Sequence, residues 1–186
     1  MKKVAALQLL TNTLPDDLLK KIRYLEASTA MLYWPLLGKK LPEPFGFTER
    51  VKKDPKDPFN MSINYLYGML KNKVETGILG MGLDPSVGCI HREGYSLPPL
   101  VFDLMEPFRP VMDRLLVELI LSGKLKNIVE TKDDGYCRLN STGRKCLIAC
   151  FNEKIGKVLI FRKARTTLGN HILLEIKSFA DEIKKI

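Results

Sequence analysis

Proline and glycine divide this sequence into long stretches that helices fill best. Thr13-Leu14-Pro15-Asp16 places a hydroxyl at a cap position with a carboxylate three residues on, which predicts a helix running to about Leu37. Leu18, Ile22, Leu25, Thr29, Leu32 and Leu36 recur along it at helical spacing, the pattern of a buried stripe. Residues 38 to 57 hold Gly38, Pro42, Pro44, Gly46 and Pro55 among lysines, the composition of an exposed loop. Asp57-Pro58 then opens a second helix, with proline where a missing N–H costs nothing, and that helix runs to about Gly80 and ends near Gly82.

Beyond it, Gly82-Leu83-Asp84-Pro85 reads as a turn, and Ser86 to Ser96 has no clear period. A third helical stretch starts at Pro98-Pro99, is disturbed at Pro107 and Pro110, and continues to Leu121 before Gly123. Asp133-Asp134-Gly135 between Ile128-Val129 and 136–139 predicts a hairpin turn. Ser141 or Thr142 caps a helix to about Ile155, and an amphipathic helix fills roughly 167 to 185. The expected fold class is mainly α, one multi-helix domain over residues 1–186 with one small β-hairpin.

Composition narrows the function classes. With 45% hydrophobic and 27% charged residues, 13 Gly and 11 Pro in 186 residues, the chain is neither collagen-like nor wholly disordered. No stretch approaches the roughly 20 apolar residues of a membrane span. Met1-Lys2-Lys3 followed by Val4 to Leu10 imitates a signal peptide, but Gln8 interrupts it and no small-x-small site follows, so it reads as helix. Cys89, Cys137, Cys146 and Cys150 are too few and too irregular for a disulfide framework, which favours a reducing cytoplasm. Cys146 and Cys150 have no second pair at zinc-site spacing and read as small buried hydrophobes.

The net charge of +9 is concentrated: residues 124 to 186 hold 14 basic and 7 acidic side chains, hence +7. Such a surface concentrates phosphate backbone and releases counterions on binding, although a solvated basic face has the same composition.

Glu26 lies on the shoulder of the first helix's apolar stripe, level with Leu19, Ile22 and Tyr33. His91, one of two histidines, sits in the irregular segment after the second helix. Asp103 and Glu106, three apart, share a helix face embedded among Leu100, Val101, Phe102, Leu104 and Met105. Acids in an apolar run are costly unless paired, hydrogen-bonded or metal-bound. An imidazole with two carboxylates suits a divalent ion that activates oxygen nucleophiles, but the same residue types also occur for purely structural reasons.

The wording around these residues resembles a known family. Tyr24-Leu25-Glu26-Ala27 with Tyr33-Trp34, Asp57-Pro58-Phe59-Asn60 with Ile63-Asn64-Tyr65-x-Tyr67-Gly68, Gly82-Leu83-Asp84-Pro85 with Gly88 and His91, and the run 100–110 from Leu100 to Pro110 are similar to the catalytic domain of the CRISPR-associated "Cas one" adaptation integrases. The resemblance implies a helical domain that joins short DNA fragments into a CRISPR array by metal-dependent transesterification and cleaves branched DNA. It maps the metal set onto Glu26, His91 and Glu106, with Asp103 as a supporting acid. An oxygen-rich shell favours Mg2+ or Mn2+, and the histidine tilts the choice toward Mn2+. Glu75 is the alternative ligand, but it lies outside the matched motif and takes a structural role or one that supports a ligand.

Asn60 and Asn64 neighbour the family's active site, so substrate positioning and helix packing both stand for them. Arg109 either contacts phosphate or neutralises Asp103 and Glu106, the second being favoured by its spacing. His171 reads as structural and Trp34 as core. The implied partners are double-stranded or branched DNA, a second copy of the chain, and a small ferredoxin-fold adaptation protein. Family members carry an N-terminal β domain that the residues before Thr13 are too few to supply, so stable dimerisation rests on the resemblance alone. Three further readings remain: an idle DNA-binding or scaffold fragment, a transposon-borne relative with the same chemistry, and an all-helical structural protein whose acids pair with Arg109.

Overall fold

The computed structural model describes residues 15–90, 98–131 and 137–185. Helix α1 covers Asp16–Gly38 and α2 covers Pro58–Gly80. The proline-punctuated stretch forms α3 (Pro99–Met105), a single 3-10 turn (Glu106–Phe108) and α4 (Arg109–Leu121). Strands β1 (Val129–Thr131) and β2 (Cys137–Leu139) pair antiparallel with Glu130 opposite Arg138. Helix α5 (Ser141–Gly156), strands β3 (Val158–Phe161) and β4 (Ala164–Thr167), and helix α6 (Leu168–Ile183) complete the order. The mainly helical reading holds. Thr13, the Met1 to Leu10 run, and the Asp133-Asp134-Gly135 turn lie outside the described residues.

Two expectations are corrected. The single hairpin becomes two, because β3 and β4 also pair antiparallel, Val158 opposite Thr167 and Phe161 opposite Ala164. Their turn is Arg162-Lys163, both at positive φ (45° and 67°), so the glycine or asparagine that usually marks such a turn is missing. The buried stripe of α1 is also displaced. Leu25, Leu32 and Leu36 are 54%, 70% and 64% exposed, while Leu19 is buried. The packed face is turned by about 100°, one residue's rotation, from the leucine-rich one. It is held by polar and aromatic groups that apolar periodicity does not count.

The chain divides into two compact units. The first comprises Met1–Arg23, Met69–Arg109 and Ile155–Ile186. Its core is Leu70, Val74 and Ile78 of α2, Leu100, Val101 and Met105 of α3, and Leu168, Ile172 and Ile176 of α6. Gly77 lets α2 and α6 approach: a Cβ there would meet the Ile176 Cδ1 at 2.6 Å.

The second unit comprises Tyr24–Gly68 and Pro110–Lys154. Met112, Leu115, Leu116, Leu119 and Ile120 of α4 pack in its core with Leu147 and Phe151 of α5. The connector after α1 has no helix or strand, and most of its residues are exposed, yet Phe45 and Phe47 are buried. Phe47 stacks on Phe59 with ring centroids 4.2 Å apart and planes 9° from parallel. Gly38, the last residue of α1, has no room for a side chain, because a Cβ there would collide with the Phe47 carbonyl.

Candidate functional site

The acidic motif starts from proline chemistry. Pro98 is extended (φ −65°, ψ 110°) and Pro99 occupies the first helical turn, where no N–H is needed. The Leu100 N–H donates to the Pro85 carbonyl at 3.1 Å, which ties α3 to the turn after α2. That turn is closed by Asp84, whose Oδ1 accepts from the Ser86 N–H at 2.9 Å and hydroxyl at 2.6 Å. These bonds hold the Asp84 carboxyl below its ordinary range.

The next segment is gripped by Asp103. Its Oδ2 accepts the Cys89 N–H at 2.6 Å and the Ile90 N–H at 3.0 Å. This is how the chain pays for a half-buried acid in an apolar run: the carboxylate saturates backbone donors. The Ile90 carbonyl in turn accepts from the Arg23 Nη2 at 3.0 Å. Burial, with the Asp103 charge beside it, pushes the Cys89 thiol up to about 11, so it stays protonated at neutral pH.

Glu106 opens the 3-10 turn and pairs with Arg109, Oε1 to Nη1 at 2.8 Å. The Arg109 guanidinium also lies over the Phe102 ring, 5.8 Å from its centroid. Glu26 is solvent-exposed, although helical spacing places it on the packed face of α1, seven residues from both Leu19 and Tyr33. His91 lies outside the described residues. Among the described residues, no group of three or more His, Cys, Asp and Glu side chains is placed to hold a metal ion. The structure therefore joins Asp103 to the 89–90 segment and Glu106 to Arg109.

The second unit contains a polar network that sequence reasoning missed. Arg50 donates to the Asn60 Oδ1 at 2.9 Å, the Asn64 Oδ1 at 2.5 Å and its neighbour's carbonyl, Val51, at 2.7 Å. Its guanidinium lies 5.6 Å from the ring centroids of both Trp34 and Tyr67. Asn60, fully buried, also donates to the Glu49 carbonyl and to Asp57 and accepts from the Val51 N–H. Asn64 donates to the carbonyls of Val51 and Lys52. Both asparagines thus pin the 49–52 backbone.

Asp113, buried on α4, accepts from the Tyr67 hydroxyl at 2.5 Å and the Tyr33 hydroxyl at 3.5 Å. Burial, and then the Asp113 charge, push Tyr33 up to about 12. The signal for Asp113 was available: it is an acid inside the apolar run of α4. Arg50, among loop lysines, had none.

The remaining candidates take structural places. Glu75 pairs with Lys71 at 3.3 Å. His171 is buried, with Nε2 3.1 Å from the Leu159 carbonyl, and its ring meets Phe161 edge-on at 5.8 Å. Trp34 is half-buried, 6.4 Å from both Phe47 and Phe59. The basic third is partly neutralised by Arg162 on Glu175, Lys184 on Asp181 and Lys185 on Glu182. Lys157, Lys163, Arg165 and Lys177 are exposed.

The family model described as CRISPR associated protein Cas1 matches residues 1–153. The chain belongs to the Cas1 family. A relative from Thermus thermophilus, named CRISPR-associated endonuclease Cas1 1, is 35% identical over 138 residues, covering 74% of this chain and 44% of the relative. The chain thus spans less than half the length of that Cas1 protein. Among solved structures, a casposase bound to integration product matches with TM-score 0.82 and 25% identity, covering 99% of this chain and 60% of that one. A Cas6-RT-Cas1--Cas2 complex shares the fold with TM-score 0.79 and 23% identity, over 90% of this chain and 18% of that chain. The Cas1-family match contains Glu26, His91, Asp103 and Glu106. No helix among the described residues is long and apolar enough to cross a membrane.

Proposed function

We propose that this Cas1-family chain is a metal-dependent DNA endonuclease and integrase that joins short DNA fragments into a CRISPR array in antiviral defence. The observation that carries the reading is the family match over 1–153, which takes in both carboxylates and the histidine of the motif set. Two carboxylates and an imidazole fit Mg2+ or Mn2+ by donor chemistry, and Glu26, His91 and Glu106 would hold the ion. When bound, such an ion supplies Lewis acidity toward a phosphodiester and its leaving oxygen.

The chain's own residues do the rest. Asp103 holds the 89–90 backbone. Arg109 holds the Glu106 carboxylate in one orientation. Exposed basic side chains of the C-terminal third draw the DNA backbone in. In transesterification a DNA 3′-hydroxyl forms a new P–O bond as the old one breaks, so no covalent protein intermediate is required. The partners in this reading are branched or repeat-containing DNA, a second copy, and a small ferredoxin-fold adaptation protein in the cytoplasm. The Cas1--Cas2 complex among the fold neighbours supports a protein partner.

The test is strand cleavage and joining on branched and repeat-containing DNA with Mn2+ or Mg2+, comparing the chain with Glu26→Ala, His91→Ala and Glu106→Ala. Activity lost in all three folded variants supports the site. Activity that survives His91→Ala overturns it. A folded chain that binds DNA without turnover favours the idle-fragment reading.

The casposase likeness favours one second reading, the same chemistry on transposon ends. Joining of terminal-repeat substrates in preference to CRISPR repeats would establish it.

A further inference from the structure

Ile90 is held at both polar atoms of its backbone. Its N–H reaches the Asp103 Oδ2, which also takes the Cys89 N–H, and its carbonyl receives the Arg23 guanidinium. The three stretches involved are α1, the segment after α2, and α3. Each contributes a residue standing one short step before a member of the proposed metal set. Arg23 precedes Glu26 by three, Ile90 directly precedes His91, and Asp103 precedes Glu106 by three. Residues three apart on a helix share a face about 4.5 Å along the axis.

Resting on the metal-site reading above, we propose that Arg23 and Asp103 are positioning residues. Through the backbone N–H and carbonyl of Ile90 they fix the segment up to residue 90 against α1 and α3. Two observations favour this over direct metal ligation by Asp103. Its Oδ2 already accepts two backbone N–H groups, about the capacity of that oxygen, so any ligation would fall to Oδ1 alone. The carbonyl of the same residue, in the next peptide group, is anchored by a cation, which has no use as a metal ligand. Arg23 is exposed, and its long side chain reaches back to that one carbonyl.

The experiment uses the full chain and compares Arg23→Ala, Asp103→Ala, Asp103→Asn and His91→Ala with the parent, with folding checked by circular dichroism. Mn2+ affinity is read by electron paramagnetic resonance without DNA, and amide exchange across residues 83–90 by mass spectrometry. Losing a group that orients a metal ligand typically weakens affinity about 10- to 100-fold. Arg23→Ala and Asp103→Ala should both do so and expose the 89–90 amides to exchange. Asp103→Asn, which keeps an acceptor oxygen, should stay within a few-fold of the parent.

Mn2+ binding that is lost in His91→Ala but unchanged in Arg23→Ala and Asp103→Ala overturns the positioning role and leaves the metal site standing. Asp103→Asn as damaging as Asp103→Ala, with unaltered exchange, makes Asp103 a ligand and also overturns it. A parent chain that binds Mn2+ no better than His91→Ala overturns the metal reading itself. Because Arg23 is exposed, its variant keeps the test open even where Asp103→Ala fails to fold.

Discussion

The Asn60 amide oxygen accepts from the Arg50 guanidinium at 2.9 Å, while the same oxygen takes the Val51 N–H at 3.0 Å. A helix side chain and a loop side chain thereby close one ring of hydrogen bonds, and the 49–52 backbone is held by it. Planar guanidinium geometry serves this site, since Arg50 reaches two amide oxygens and lies against two aromatic rings. Arg50→Lys should therefore fail to rescue. We expect both Arg50→Lys and Arg50→Ala to lower stability by about 1–3 kcal/mol, the cost of leaving buried acceptors unmade. A urea unfolding midpoint unchanged in both variants would refute this.

Tyr33 carries a pH dependence whose sign is fixed. Its hydroxyl is raised from 10.0 to about 12, so the folded chain keeps a proton that the unfolded chain releases. The stability linked to this proton is complete below pH 10 and is lost as pH rises from 10 toward 12. Tyr33→Phe should flatten that part of the stability curve relative to the parent. Parallel curves for the two proteins between pH 9 and 11.5 would remove Tyr33 as the cause.

Cys89 should be the slowest of the four cysteines to react. Thiolate is the nucleophile, and burial beside Asp103 raises this thiol to about 11. At pH 8, timed iodoacetamide labelling read by mass spectrometry should modify Cys137 and Cys146, both partly exposed, before Cys89. Early modification of Cys89 would show that the 87–90 segment opens readily.

Gly143 marks where α5 meets the chain entering the first hairpin. A Cβ there would stand 2.7 Å from the Ile128 Cβ and 3.0 Å from the Ile128 carbonyl, and neither atom is the flexible end of a side chain. Gly143→Ala should destabilise by about 1–3 kcal/mol through overpacking, against the usual gain from alanine in a helix. A raised melting temperature would mean that the backbone yields at no cost.

Helix boundaries were legible because their causes are local. Pro58 and Pro99 open helices, Gly38, Gly80 and Gly123 stand at or just past helix ends, and Asn140 caps α5 by accepting the Gly143 N–H at 2.8 Å. The expected caps, Ser141 or Thr142, missed by one and two residues, since either hydroxyl could fill that role in an isolated segment. The acid pair was legible in part. An apolar run containing Asp103 and Glu106 announces that both need partners, and the spacing from Glu106 to Arg109 identifies one.

By itself, then, the sequence determined the order and kind of helices and the family motif. These follow from backbone sterics, capping and residue type, which act over a few positions. Only the tertiary structure decided which face of α1 is buried, that the Arg162-Lys163 turn closes a second hairpin, and that Asp103 accepts the Cys89 and Ile90 amides. Those outcomes depend on partners far away in the chain. The free energy of a hydrogen bond or a buried ring is set by what stands opposite it, and apolar periodicity records only one side of each contact.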